Sequence, residues 1–552
     1  MMPACLSLFL LCTTAHAQAT RPAAASSPSR PRLIVLIVVD QLRGDFPDRY
    51  AAHFGEGGFR RLMREGAHFV SAHFSHAATA TGPGHACVAC GCNPREHGVA
   101  ANRDGDGECS EDPKHPLVGL DDPRRGASGG GPHRLQAPAL GDVMKLATAG
   151  QARVVSLGLK RRGAIMLGGL RPDTAIWWHT SSGRFVTSTA YATQLSEYAA
   201  AMNAARAADR WFGRAWERLL PPEAYRACVP DDDPAEADAH HWGRAFPHPL
   251  TGGLKSPGEG YYAALLASPF ANELLLELAR AAVEYEKLGQ DDVCDLLCIA
   301  LSSNDVCGHL FGPDSHEVMD ITLRTDRQLA ELFSFLDARL GAGRYIAAVT
   351  GDHGVAPIAA HSRAHGLDAG CFSEDDAARA LNVSLQQSLD VTGPRAPLVK
   401  LVELPWLFLE HETIRRAELS PQRVVDACVD ELMKMKGVAW VVPAARLAGP
   451  LPADADERFH LAREAYHPRT AGDIYIGLRH YWQESENTAG HGTAHAYDRH
   501  VPILLYGPGV RAGRYATEAD PIDIAVTLAR LIGIQPAPTM VRARNSMATA
   551  VE

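Results

Sequence analysis

Residues Leu33 to Val39 read LIVLIVV, and the next residue is Asp40. An unbroken run of Leu, Ile and Val without polar alternation specifies a strand buried on both faces, as in a parallel sheet covered by helices. An acid directly after such a strand stands at the carboxyl edge of the sheet, where α/β folds gather their functional groups. The pattern recurs. Asp352 and His353 follow the apolar run Tyr345 to Val349, and Asp305 follows Leu296 to Leu301. The predicted strands are Leu33 to Asp40, Arg153 to Leu157, Asp295 to Ser302, Tyr345 to Thr350 and Val501 to Tyr506. Between two of them, Val318, Ile321, Leu329, Leu332, Phe333 and Leu336 recur at helical spacing within Ser315 to Leu340. Strand, helix, strand is a crossover, so the chain reads as α/β with a parallel sheet.

A chain of 552 residues has room for more than such a sheet. Two stretches interrupt the rhythm, near 171–284 and near 371–483, and read as cap-like insertions or as ordinary helical decoration of a large fold. The first carries an Ala-rich helical run from Leu195 to Leu220 and a helix from Ser268, where Pro269 suits the first helical position. The second carries an acidic turn near Asp454 and Asp456. A net charge of −10 offers no basic footprint, which excludes a nucleic-acid scaffold.

At the amino end, apolar Ala4 to Cys12 precedes Ala15-His16-Ala17, a cleavage pattern before Gln18. Residues 1–17 are thus expected to be a signal peptide and 18–32, rich in Ala, Ser, Pro and Arg, a flexible leader. Residues 33–552 form the body. The expected location is periplasmic or secreted. The leader lacks its usual positive charges, which leaves a lipoprotein or cytosolic reading open. No later apolar run reaches the length of a membrane span. Ten of the twelve cysteines lie beyond the expected cleavage point, and an oxidising compartment favours disulfides among them. Cys87, Cys90 and Cys92 hint at a metal knot but lack a second cluster of matching spacing; Cys294 and Cys298 read as small hydrophobes beside a core strand.

The chemistry is concentrated in a few phrases. ATATGPGHACVACGCNPREHGVAANR, Ala77 to Asn102, sets Thr81 at the start of an apolar helix, where backbone N–H groups favour an anion. Thr81 is the candidate nucleophile; its bland alternative is a helix N-cap. Asp305 and His309, four apart, share one helical face. Adjacent Asp352 and His353 leave a strand on an irregular turn. His491 lies between Gly490 and Gly492, which permit close backbone approach. Each alone is more often a hydrogen-bonded structural group. Taken in order, Asp40, Thr81, Asp305, His309, Asp352, His353 and His491 read as a two-metal site around a threonine. Asp498 and His500 read as orienting groups, His495 as an extra ligand or supporting donor, and Asp45, Asp104 and Asp106 as turn acids. Asp231 to Asp233 read as a solvated loop.

The phrases VVDQLRGD, TATGPGHA, HGVAAN, SLGLKRRGA, SNDVCGHLFGPDS, VTGDHGVAP, HGTAHAYDRHVP and DPIDIAVTLARLIGI span most of Leu33 to Ile534. In these the chain resembles the alkaline phosphatase superfamily, and within it the phosphate-irrepressible branch that uses threonine as nucleophile. The resemblance implies a three-layer sandwich with a central, mostly parallel sheet. It also implies two zinc ions (Zn2+), one held by Asp305, His309 and His491, the other by Asp40, Thr81, Asp352 and His353. Such ligands suit catalytic zinc, and two metals about 4 Å apart can clamp the attacking and leaving oxygens of a displacement. The implied substrates are small-molecule phosphate monoesters, cleaved through a phosphothreonine. Lys160 and Arg162, two apart, would share one side of an extended segment and grip phosphoryl oxygens, with Asn102 adding a hydrogen bond and Arg161 pointing away. A solvated basic turn is the alternative for these cations. Three other functional readings stand beside this one: a phosphodiesterase or nucleotide pyrophosphatase of the same superfamily, a catalytically silent metal-binding protein, and a sulfatase. The last founders on Cys92-Asn93-Pro94-Arg95-Glu96, which has Glu96 where that motif needs Arg. The pattern fixes no oligomeric state.

Overall fold

Side chains of Leu33–Val39 leave the strand alternately, and so feed two different cores. Leu33, Val35, Ile37 and Val39 enter one, and Ile34, Leu36 and Val38 the other. That division puts helices on both faces and makes three layers. The computed structural model describes residues 30–120, 128–389, 397–540 and 546–551. The expected signal peptide, and the expected leader up to residue 29, lie outside the described residues.

In spatial order the main sheet runs Gly513–Tyr515, Ala67–His73, His500–Tyr506, Tyr345–Thr350, Leu33–Val39, Asp295–Leu301, Val154–Gly158, Thr174–His179, Arg184–Ser188 and Leu117–Val118. From Tyr345–Thr350 to Thr174–His179 all neighbours are parallel. The mostly parallel sheet expected from the resemblance is therefore present, with antiparallel strands toward its edges. His500–Tyr506 runs antiparallel to both its neighbours. One face packs on helices Pro269–Tyr285 and His316–Leu340, the other on Thr81–Cys90, Leu140–Ala147, Arg161–Gly168 and Asp523–Leu531. Local signals set these boundaries: Pro269 occupies the first turn after Ser268, and Ser315 Oγ accepts the Val318 N–H at 3.1 Å.

A second, antiparallel sheet of Val399–Glu403, Trp406–Leu409, Ile474–Leu478 and Val438–Pro443 lies within 371–483. One side is covered by helices Glu374–Ser388 and Pro421–Leu432. The other turns Trp406, Phe408 and Tyr475 onto Ala77, Ala78 and Ala101, and Trp406 Nε1 donates to Ala100 O at 3.0 Å. This sheet therefore roofs the segment that carries Thr81.

Two expectations need correction. The run Leu195 to Leu220 is not one helix: it breaks into Glu197–Ala204, a 3-10 turn Ala207–Trp211 and strand Ala215–Trp216. Arg206 takes a left-handed backbone there, and burial of Trp211 and Trp216 overrides the helical preference of the alanines. Among the described residues the ten cysteines form no disulfide, so those favoured by an oxidising compartment are not made among them.

Candidate active site

The parallel strands deliver their polar residues to one edge. Asp40 follows Val39 and donates its N–H to Leu301 O at 2.9 Å, which ties two neighbouring strand ends together. Asp305 and His309 ride on helix Ser303–Phe311, while Asp352 and His353 follow Tyr345–Thr350. Thr81 opens its helix, and His491 comes from the loop before Ala496–Arg499. Donor atoms of Asp305, His309 and His491 lie within 4.8 Å of one another, as do those of Asp40, Asp305 and His353. Asp305 Oδ1 is 3.3 Å from His309 Nε2 and 3.7 Å from His491 Nε2. His353 Nε2 is 3.4 Å from Asp40 Oδ1 and 3.5 Å from Asp352 Oδ2. Two adjacent groups result, with Asp305 between them.

The imidazoles share one orientation device. Nδ1 faces a backbone carbonyl in each: Ala489 O at 2.6 Å for His309, Thr79 O at 2.8 Å for His491, and Gly354 O at 2.9 Å for His353. A carbonyl only accepts, so Nδ1 carries the proton and the Nε2 lone pair points into the carboxylates. Asp40 Oδ1 and His353 Nε2 are buried without a hydrogen bond, while Asp40 Oδ2 faces Lys160 Nζ and Asp352 Oδ2 faces His85 Nδ1. Buried polar atoms without hydrogen bonds are uncommon in proteins, and converging carboxylate oxygens and imidazole nitrogens are the donors that zinc takes. The residues fit bound metal.

Lys160 Nζ reaches into this cluster, 2.8 Å from Asp40 Oδ2, in contact with Asp305 Oδ2, and 3.5 Å from Thr81 Oγ1. Burial alone would raise the Asp305 carboxyl; Lys160 and His309 outweigh it and hold it well below the usual range. Thr81 is the first helical residue and Ala80 the cap, so the N-cap reading of Thr81 fails. Asn102 Oδ1 accepts the Gly82 N–H at 2.8 Å, which leaves its amide nitrogen as the free donor.

The extended-segment picture of Lys160 and Arg162 also fails. Lys160 caps helix Arg161–Gly168, and Arg162 already lies in its first turn. Lys160 meets the carboxylates directly, while Arg162 lies 3.6 Å from Glu108 Oε1 and still feels the charges of Asp40 and Asp305. Arg161 turns to a different set of partners, donating to Ser128 O at 2.9 Å and Gly129 O at 3.1 Å and pairing with Glu108.

Glu108 is thus a site residue that sequence reading missed; nothing in its local sequence marks it. His85 was missed too. Its Nδ1 lies 3.1 Å from Asp352 Oδ2 and 2.9 Å from Thr81 O. The signal was available, because Thr81 and His85 are one helical turn apart. Asp498 does orient the His491 loop: its Oδ2 accepts the N–H and hydroxyl of Thr493 at 2.9 and 2.6 Å, and Thr493 O accepts the Thr79 hydroxyl at 2.8 Å. His495 contacts Leu478 O and His480, and His500 contacts Val70 O and His73; neither joins the metal groups. Asp45 pairs with Arg43, Asp104 with Arg134, and Asp106 faces Lys400 at 3.9 Å. Cys87 has His76 Nε2 at 3.3 Å and His97 Nε2 at 3.2 Å. Both Nδ1 atoms accept backbone N–H groups, from Ala78 and Val99, so both Nε2 atoms carry protons and cannot ligate a metal.

A family profile described as type I phosphodiesterase / nucleotide pyrophosphatase matches residues 34–498. Alkaline phosphatase PhoV of Synechococcus elongatus is 31% identical, with 96% of each chain covered. Alkaline phosphatase PafA of Elizabethkingia meningoseptica is 30% identical, with 92% of each covered. The crystal structure of wild-type PafA superposes with a TM-score of 0.86 at 28% identity, covering 96% of this chain and 100% of that one. Fold and site together define a metal-dependent phosphatase of the alkaline phosphatase superfamily. Within it, the chain belongs to the type I phosphodiesterase / nucleotide pyrophosphatase family.

Proposed function

We propose that the protein is a zinc-dependent phosphomonoesterase that works through a phosphothreonine on Thr81. The observation that carries this is the set of three imidazoles, each fixed through Nδ1 and turning Nε2 onto carboxylates that share Lys160 Nζ with the Thr81 hydroxyl. One zinc is assigned to Asp305, His309 and His491, the other to Asp40, Thr81, Asp352 and His353. When bound, the pair supplies positive charge to the Thr81 oxygen, the leaving oxygen and the hydrolytic water. Thr81 Oγ1, its proton given up to solvent, attacks phosphorus; the bond to the organic oxygen breaks on the opposite side and that oxygen takes a proton from solvent; water then opens the phosphothreonine, releasing phosphate and restoring the Thr81 hydroxyl. Asn102, Lys160 and Arg162 bind the terminal phosphoryl oxygens. A monoester dianion presents three such oxygens; a diester, with one charge and a second organic group, uses these donors less. The substrates proposed are small phosphate monoesters. The apolar leader and its cleavage pattern support export, and among the described residues no helix is long and apolar enough to cross a membrane. The stretches near 171–284 and 371–483 are proposed as insertions, the second as a roof over the Thr81 turn.

A second reading, phosphodiester or nucleotide pyrophosphate hydrolysis, draws on the description of the matching family profile. One comparison separates them: rates on a phosphate monoester and on its methyl diester, for the wild type and for the Lys160→Ala, Arg162→Ala double variant, with metal content measured on each preparation. The expected result is two zinc ions per chain, a monoester preference, and at least about tenfold greater damage to the monoester reaction in the variant. Diester preference in the wild type, or equal damage to both reactions, would favour the second reading.

A further inference from the structure

Directly after Asp40, Gln41 adopts a left-handed backbone with φ +64° while only 4% exposed. A buried non-glycine residue stays in that region only where its surroundings hold it, and such residues cluster at functional sites. Two bonds hold this one. Its backbone N–H donates to Asp352 Oδ1 at 3.0 Å, and its side-chain Nε2 donates to Asp305 Oδ1 at 3.0 Å. Asp305 Oδ1 is the oxygen faced by His309 and His491, and Asp352 belongs to the second proposed ligand set. One residue thus binds a carboxylate of each set. The facing helix makes room for it. A Cβ on Gly308, between Asp305 and His309, would sit 1.9 Å from Gln41 Oε1.

We infer that Gln41, seated against the bare Gly308, is a positioning residue that fixes Asp305 and Asp352 in their metal-binding orientation and thereby sets metal affinity. The inference rests on the metal reading proposed above. An amide suits the task because it donates to a carboxylate without neutralising it, whereas Glu would add repulsion and Lys would compete with a cation. Groups that orient metal ligands typically change affinity about 10- to 100-fold when lost.

The test compares wild type, Gln41→Asn, Gln41→Gly, Gly308→Ala and the Gln41→Gly, Gly308→Ala double variant, each loaded with zinc and titrated with chelator. The melting temperature of each metal-free protein is measured alongside. Asn tolerates the left-handed backbone but is one methylene too short to reach Asp305. Gln41→Asn is expected to release zinc at about tenfold lower chelator than wild type, with an unchanged metal-free melting temperature. Gly308→Ala is expected to weaken zinc retention in the wild-type background and to add nothing once the Gln41 side chain is gone. Zinc retention in Gln41→Asn equal to wild type would overturn the assignment. So would an equal Gly308→Ala penalty in both backgrounds, or a metal-free melting temperature that falls as far as the loaded one. Failure of the wild type itself to bind zinc would instead bring down the proposed function, and the positioning role with it.

Discussion

Thr81 Oγ1 stands at the head of a helix, 3.5 Å from Lys160 Nζ, and the Ala80 cap offers no side-chain hydrogen bond to the first turn. As the proposed nucleophile it is separable from the fold. Thr81→Ala should lower kcat by about a thousandfold or more while zinc content changes little, as metal analysis and single-turnover assays would report. Retained turnover would remove Thr81 from its role. Away from the site, Glu236 carries a different signature. It is 3% exposed with Oε2 unpartnered, and burial, reinforced by Glu317, Asp233 and Asp231, pushes its carboxyl up to about 10. The folded protein then keeps a proton that the unfolded chain releases above its ordinary value of 4.5, so stability falls as pH rises across that window. Glu236→Gln should melt roughly 2 °C above wild type at pH 9, with a smaller gain at pH 5; a pH-independent difference would contradict this. At this scale the residues that meet at the sheet edge were legible in the sequence, since Asp40, Asp305, Asp352 and His353 follow recognisable strands and His491 stands between two glycines. Glu108 was not, because its arginine partners come from a distant segment; His85 carried a signal, one helical turn from Thr81, that went unread. Of Asp231 to Asp233, read as a solvated loop, Asp232 stays exposed beside Arg244, while Asp231 is partly covered and pairs with Arg218, and Asp233 is buried and pairs with His361.

Elements matter here through how closely they approach. A Cβ on Gly84 would lie 2.1 Å from the Asp352 carbonyl oxygen, so helix Thr81–Cys90 rests directly on the turn that bears two proposed ligands. Gly84→Ala forces them apart, and a displacement near 1 Å can cost about 100-fold in rate. The expected outcome is a folded protein with kcat down by about that factor, checked by circular dichroism and steady-state assays; unchanged kcat would show that the helix has slack. The buried strand Leu33–Val39 and the crossover helix His316–Leu340 could be read from sequence because a double-sided apolar run and a 3.6-residue stripe each have one structural solution. Other elements could not. An apolar run does not encode strand direction, so the antiparallel course of His500–Tyr506 was hidden. The spacing of Lys160 and Arg162 fits a strand face only if the chain stays extended, and it turns helical at Arg161.

For the whole molecule, the proposed ligands come from separate lengths of chain that converge only in the folded state. Metal binding is then linked to folding. Removing metal with a chelator should abolish activity and lower the melting temperature by several degrees, and zinc should restore both. A melting temperature indifferent to metal, measured by scanning calorimetry, would detach the cluster from stability. Two cores flank the main sheet, and the antiparallel sheet of residues 399–478 covers the Thr81 side of its carboxyl edge. The covalent intermediate can be caught directly. Mixing enzyme with a radiolabelled phosphate monoester, quenching in acid within milliseconds and mapping the labelled peptide should place the phosphoryl group on Thr81. Label on another residue, or none during a productive turnover, would contradict a threonine nucleophile.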